Sequence, residues 1–496
     1  MTQDSDQVVA TNQGRVRGRS EAGAVAYRGI PYAASPVGAL RFAPPRPGPQ
    51  WSGIREAEHA GPAAPQGPSR LEAVMGRRTP DWNEDGCLTL NVWRPNGSGE
   101  DGTARPVLLW FHGGGFSSGS GGWDWYDGAR LAAHGDLVVV TANYRLGPLG
   151  YLHLPEIGAD NLGVQDQAAA LRWVRDNIAA FGGDPDAVTV GGQSAGAFSA
   201  LSLATEPQTA GLVRRVLLQS GPWGLAPQDP ALATEHAQAY LRLLEVTSQT
   251  DPGKALRALP VEQLLTAYGT LAVQVARAGG VAPAMYPVLG GVGAARAWRD
   301  ALTAGALDGK DVLIGTTRDE MTAFMGLDPN IQSLSRAGAL ALLAQQAPAE
   351  GEAEQLYQRY ARQLPQATPG QIAIAAKTDA DFRNGALEIA DHHAAAGNRT
   401  YVYQFDYTAP GAGNVLGACH CSELPFLFRT FDNYPDSPML GRPDAAARAL
   451  GDAFAGAVAT FVTTGTPRGI PAYEPATPAR IRHFAPAAAD GDDAGH

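Results

Sequence analysis

The alternation of strand-like and helix-like runs predicts an α/β fold with a mostly parallel central sheet and helices on both faces. Two observations carry that prediction. β-Branched and apolar runs recur at 106–111, 136–142, 187–190, 215–219, 311–316 and 400–405, and several are apolar without alternation. Continuous apolarity is the pattern of strands covered on both faces. Helical periodicity fills the intervals: within 163–180, Val164, Ala168, Leu171, Val174 and Ile178 recur at helical spacings.

In chain order, the Pro-rich segment 44–68 reads as an extended surface loop. Val107 to Phe111 is a buried-strand pattern that runs into His112-Gly-Gly-Gly-Phe116. The 163–180 helix meets a stop signal at Phe181-Gly-Gly-Asp-Pro185. The 187–190 strand leads into Gly192-Gln-Ser-Ala-Gly196, followed by an Ala-rich helical stretch over 197–204. Residues 222–310 and 322–399 are mostly helical by composition and interrupt the strand rhythm, so they read as insertions covering one end of the sheet. A last amphipathic helix is predicted over 445–461, stopped by Gly465 and Pro467. From Ala485 the chain reads as a disordered tail.

Composition narrows the function. The chain has 496 residues, 38 Lys and Arg against 49 Asp and Glu, and a net charge of −11. No basic stripe is present, so nucleic acid is not an expected partner. No run of about 18 uninterrupted apolar residues appears, so no membrane span is expected. The start, Met-Thr-Gln-Asp-Ser-Asp-Gln, lacks the basic and apolar regions of a signal peptide. Cys87, Cys419 and Cys421 are too few and too unevenly placed for a disulfide framework. Free thiols fit a cytoplasmic protein. Arg far outnumbers Lys, which occurs only at 254, 310 and 377, a bias of high-GC bacterial genomes.

The chemistry centres on a serine. A strand, then Gly-x-Ser-x-Gly, then a helix is the layout of a nucleophile elbow, which exposes the hydroxyl on a sharp turn. Two pentapeptides match, around Ser117 and Ser194. Ser117 lies in a Gly/Ser-rich loop with no helix pattern after it, whereas Ser194 has both flanks, so Ser194 is the candidate nucleophile. A serine needs a base and donors for the oxyanion. The three glycines at 113–115 free backbone N–H groups for the second role, and Ala195 supplies another. With partners following the serine in the order acid, histidine, the candidate bases are His236, His392, His393, His420, His483 and His496. His496 is terminal and His483 is close to the tail. His392 and His393 sit in an Ala-rich charged helix and read as a solvated face. His420 sits in the small-residue loop Gly417-Ala-Cys-His-Cys-Ser-Glu-Leu424 after the last strand, where an imidazole can reach over the sheet edge. Two cysteines and one histidine within three residues cannot wrap a tetrahedral ion alone, so neither a metal nor any other cofactor is expected. For the acid, the strand at 311–316 ends in Asp319 and Glu320, and spacing does not choose between them.

The chain resembles the type-B carboxylesterase family, which includes the cholinesterases and bacterial p-nitrobenzyl esterase-like enzymes. The likeness rests on Val16-Arg-Gly18, Tyr27-Arg-Gly-Ile-Pro-Tyr-Ala33, Leu40-Arg-Phe42 and Asp85-Gly-Cys-Leu-Thr-Leu-Asn-Val-Trp-Arg-Pro95. It continues through His112 to Phe116, Asn143-Tyr-Arg-Leu146, Gln219-Ser-Gly221, Arg318-Asp-Glu320 and Gly417-Ala-Cys-His420. The resemblance implies an α/β-hydrolase fold, with helical insertions over the active site. It implies Glu320 as the acid, His420 as the base, and Gly114, Gly115 and Ala195 as oxyanion donors. Ser220 matches a family serine buried behind the site. Because these residues span the chain, length alone (about three domains of ~150 residues) is set aside. One catalytic domain over 1–484 is expected, with 485–496 as the tail.

The chain departs from the family pattern at three places. Gln193 stands where the family usually has Glu, which removes a carboxylate beside the imidazole and disfavours cationic substrates. Met321 replaces a usual Gly. Cys87 has no upstream cysteine to pair with. The expected function is a serine carboxylesterase acting on small-molecule esters, short-chain or aryl, through an acyl-enzyme, as a monomer or homodimer. The alternatives are a specialised hydrolase of carbamates, lactones or natural-product esters, and a non-catalytic binding member of the fold. Cys419 and Cys421 flank His420, so a bulky thiol reagent at either is expected to displace the imidazole.

Overall fold

The computed structural model describes residues 7–78, 81–98, 102–247, 251–347, 349–411, 414–475, 477 and 480–486. The predicted tail lies outside them, apart from 485 and 486. The strands in chain order are β1 (Val8–Ala10), β2 (Arg15–Arg17), β3 (Arg19–Glu21), β4 (Ala24–Pro31), β5 (Ile54–Glu56), β6 (Thr89–Pro95) and β7 (Arg105–Phe111). They continue with β8 (Val138–Ala142), β9 (Gly183–Gln193), β10 (Arg215–Gln219), β11 (Asp311–Thr317), β12 (Thr400–Phe405) and β13 (Ile481–Phe484).

A ten-stranded sheet runs in the order β13-β12-β11-β10-β9-β7-β8-β6-β4-β3. From β13 to β8 neighbouring strands are parallel, and from β8 to β3 they are antiparallel. This is the α/β-hydrolase fold, mostly parallel as expected. A small sheet, β1-β2-β5, sits apart, so the 44–68 loop holds a short strand that its prolines concealed.

The apolar strands serve two cores, one on each face. On β7, Val107, Leu109 and Phe111 join one cluster, while Leu108 and Trp110 join the other. β11 divides the same way, with Val312 and Ile314 on one side and Leu313 on the other. Alternate side chains leave opposite faces of a strand, so a continuous apolar run fills both layers. Residues 321–382 build a third cluster around Met321, Met325, Leu343, Tyr357 and Phe382.

Four boundaries differ from the sequence reading. β9 runs over Gly183–Gln193, starting within the motif read as a stop signal and continuing beyond the expected 187–190. Asp136 lies outside β8: its φ is 48°, and it closes the helix Ala129–Gly135. The 163–180 helix is α-helical over Leu162–Asn177 and tightens into a 3-10 turn over Ile178–Phe181. The helix Ala445–Thr464 is long and apolar enough to cross a membrane by length and composition. In this fold its Leu450, Phe454, Val458 and Phe461 are buried in the second core.

Chain order steps from β7 to β8 on one side and returns to β9 on the other. Ligands in open α/β sheets bind at such a switch point, beyond the carboxyl ends of the strands. The His112 to Gly115 loop follows β7, and Ser194 follows β9.

Candidate active site

β9 ends at Gln193, and the helix Ala195–Thr205 starts one residue later, so Ser194 alone makes the turn. Its φ of 57° is a left-handed value that a serine adopts only where the surroundings compel it. Both glycines of the pentapeptide are needed. A Cβ at Gly192 would stand 2.3 Å from the Gly196 carbonyl carbon, and one at Gly196 would stand 2.0 Å from the Phe111 carbonyl oxygen. Strand and helix approach too closely here for any side chain. The Ser194 N–H donates to the Gln219 carbonyl at 2.9 Å, which ties the turn to β10.

Ser194 lines a cavity together with Gly114, Gly115, Ala195, Phe116, Phe324 and Phe382. Gly114 and Gly115 have φ values of 109° and 59°. The Gly114 carbonyl is turned back and accepts from the N–H groups of Ser117 and Ser118, each at 3.1 Å. Ser117, the rival serine, thus pins the glycine loop. Among the described residues, no protein acceptor takes the N–H of Gly114, Gly115 or Ala195. The Asn143-Tyr-Arg motif supports this loop from behind. The Tyr144 hydroxyl donates to the His112 carbonyl at 2.8 Å, and its ring stacks on His112 at 4.5 Å. Arg145 pairs with Asp166 at 2.7 Å, both buried. Burial pushes the His112 pKa down to about 4, so this imidazole is neutral.

His420 and Glu320 meet as a buried pair. His420 Nδ1 lies 2.5 Å from Glu320 Oε2, and both side chains are almost wholly enclosed. Glu320 Oε1 accepts the Thr317 N–H at 2.8 Å, which fixes the carboxylate. Asp319 turns the other way, accepting from the Ala418 N–H at 2.9 Å and from Arg318. The His420 ring packs against both Phe324 and Phe382, with centroids 5.2 and 5.0 Å away, and the two phenyl rings stack on each other at 6.3 Å. Its Nε2 lies 3.1 Å from Gln193 Nε2.

The other candidate histidines among the described residues lie elsewhere, and His496 is outside the described residues. His236 Nδ1 sits 2.8 Å from the Ala284 carbonyl, and His483 pairs with Asp406 at 2.7 Å on β13. His393 corrects the sequence reading. It is buried, with Nδ1 2.8 Å from the Thr400 hydroxyl, because its helix packs on β11 and β12 and His393 continues the inward face of Ala386, Ile389 and Ala390. Met321 fills the third core, and its N–H donates to the Thr378 hydroxyl at 3.1 Å. All three cysteines are free and buried. Burial raises the thiols of Cys419 and Cys421 well above the usual range, so the displacement expected from thiol reagents has no accessible thiolate to start from.

One acidic residue went unforeseen. Ser220, with φ 50°, lies behind the site, and its hydroxyl donates to Glu423 Oε1 over a long 3.4 Å. Glu423 is fully buried. Desolvation, and then the nearby charge of Glu320, push its pKa up to about 8. It immediately precedes the short helix Leu424–Phe428 without a side-chain capping bond, and in sequence it looks like any surface glutamate.

A profile described as the carboxylesterase family matches residues 5–486. The chain belongs to that family. This carboxylesterase is 36% identical over 466 residues to the phenmedipham hydrolase of Pseudarthrobacter oxydans, covering 93% of this chain and 90% of that protein. It is also 36% identical over 469 residues to the para-nitrobenzyl esterase of Bacillus subtilis, with 93% and 90% coverage. The crystal structure of a Geobacillus stearothermophilus carboxylesterase superposes with a TM-score of 0.83 at 38% identity, covering 97% of this chain and 96% of that one. This carboxylesterase is accordingly a carboxylic ester hydrolase.

Proposed function

We propose that Ser194 is the nucleophile of a serine esterase, with His420 as its general base and Glu320 as the acid that orients the imidazole. The observation that carries this reading is the enclosed 2.5 Å contact between His420 Nδ1 and Glu320 Oε2. That bond keeps the proton on Nδ1 and leaves Nε2 as the acceptor of the serine proton; the Gln193 amide, 3.1 Å from the same nitrogen, must give up its hydrogen bond there. Ser194 attacks the ester carbonyl. The oxyanion is received by the N–H groups of Gly114, Gly115 and Ala195, which lack protein acceptors among the described residues. The imidazolium protonates the departing alcohol. Water, deprotonated by the same Nε2, then releases the acid from the acyl-enzyme.

Short-chain and aryl esters are the proposed substrates, since Phe116, Phe324 and Phe382 crowd the cavity. The three free thiols support action in a reducing compartment such as the cytoplasm. A specialised hydrolase is the second reading, favoured by the likeness to a phenmedipham hydrolase. A series of para-nitrophenyl esters from acetyl to palmitoyl tests the proposal. Rates that peak at short acyl chains support it, and a peak at palmitoyl would replace the short-chain esterase with a lipase.

A further inference from the structure

Arg70 is the charged side chain in the wall of the Ser194 cavity; among the described residues no other lines it. Its Nη2 lies 3.4 Å from where a Cβ on Gly115 would stand. The guanidinium therefore sits next to a proposed oxyanion donor. Nη2 also donates to the Val281 carbonyl at 2.9 Å, and the guanidinium carbon lies 5.7 Å from the Phe324 ring centre. These contacts aim the group and leave most of its five donors uncommitted. Among the described residues no carboxylate pairs with it. Arg70 is exposed at the cavity mouth, where neighbouring atoms desolvate it and lower its pKa, and among the described residues no carboxylate offsets its charge.

The local electrostatics favour an anion. Gln193 is neutral beside the serine. Glu320 and Glu423 lie behind His420 and do not line the cavity. A guanidinium fork matches a carboxylate with two parallel hydrogen bonds. We propose that Arg70 determines specificity by holding a carboxylate on the substrate, so that the favoured substrates are esters that also carry a carboxylate group. The inference rests on the reading of Ser194 as the nucleophile. An Arg70 that merely tethers its loop to Val281 would affect every substrate alike.

The test compares kcat/KM within two matched pairs. Para-nitrophenyl hemiglutarate against para-nitrophenyl valerate places the carboxylate on the acyl side. Para-butyryloxybenzoate against its methyl ester places it on the alcohol side. Arg70→Gln should lower the anionic-to-neutral ratio about tenfold or more in at least one pair, and Arg70→Lys should recover part of it. The pair that responds identifies the side. Ratios unchanged in both pairs, or equal losses on both members of each pair, would overturn the inference while leaving the esterase reading intact. A wild-type enzyme inactive on all four esters would overturn the esterase reading itself.

Discussion

Gln193 Nε2 stands 3.1 Å from His420 Nε2, on the opposite side of the ring from Glu320. The amide is placed to donate to the imidazole at Nε2, the nitrogen proposed to receive the serine proton. Replacing it with a carboxylate would reverse the preference, because an adjacent negative charge favours the imidazolium. Gln193→Glu is therefore expected to move the acidic limb of the kcat/KM profile to higher pH. It should also raise activity on butyrylthiocholine relative to its neutral carbon isostere. An unshifted limb together with an unchanged ratio would show that the amide has no electrostatic part in the site.

Ser194→Ala should lower kcat by ~10⁴ or more while leaving the fold intact, since the members of the proposed triad would act as a unit and what survives is oxyanion stabilisation and binding. Glu320→Gln should also lose activity heavily, because the amide no longer selects the Nδ1-protonated imidazole. Steady-state hydrolysis of para-nitrophenyl butyrate, with circular dichroism on each variant, measures both. Near-wild-type turnover by Ser194→Ala would remove the serine mechanism.

The elbow was legible in sequence because steric crowding forces glycine at Gly192 and Gly196, and few other geometries require that spacing. Glu320 could not be told from Asp319 by composition. The two differ only in which way the turn after β11 directs them, one to His420 and the other to Arg318 and Ala418. Glu423 was illegible for a related reason: desolvation, not residue type, makes it unusual. Arg70 lies in a segment without periodicity, and its place in the cavity wall depends on the distant residues Val281 and Phe324. The central parallel strands left a signal because burial on both faces leaves an apolar run; the outermost parallel strand, β13, is half exposed and left none. The edge strand β3 and the small-sheet strand β5, mostly exposed, leave no such trace.

Glu423 should leave a mark on stability. Its folded pKa of about 8 exceeds its ordinary value of 4.5. Below about 4.5 both folded and unfolded chains hold the proton, so this group contributes no pH dependence there. Between that value and about 8 the unfolded chain has released the proton while the folded one retains it. Stability therefore falls as pH rises through this window, and levels off above it. Glu423→Gln mimics the protonated acid and cannot ionise. The stability of the variant relative to wild type should climb from acid to mildly alkaline pH, as measured by urea unfolding at a series of pH values. A flat difference across the window would mean that Glu423 titrates normally in the folded state.

Two glycine-to-alanine changes should have opposite effects. At Gly196 the new methyl would meet the Phe111 carbonyl oxygen at 2.0 Å, a backbone atom that cannot swing aside. Either β7 or the Ala195–Thr205 helix must move, so Gly196→Ala should cost at least ~4 kcal/mol and sharply reduce soluble yield. Gly269 lies mid-way along the helix Val261–Val275, exposed, and a Cβ there meets nothing within 4 Å. Gly269→Ala removes backbone freedom from the unfolded chain without a clash, and should stabilise by about 0.5–1 kcal/mol. Thermal and urea unfolding of the two variants beside wild type measures both effects. If Gly196→Ala unfolds at the wild-type midpoint, the strand–helix contact at Ser194 is looser than these distances require, and the constraint that holds the serine at its left-handed φ would have to lie elsewhere.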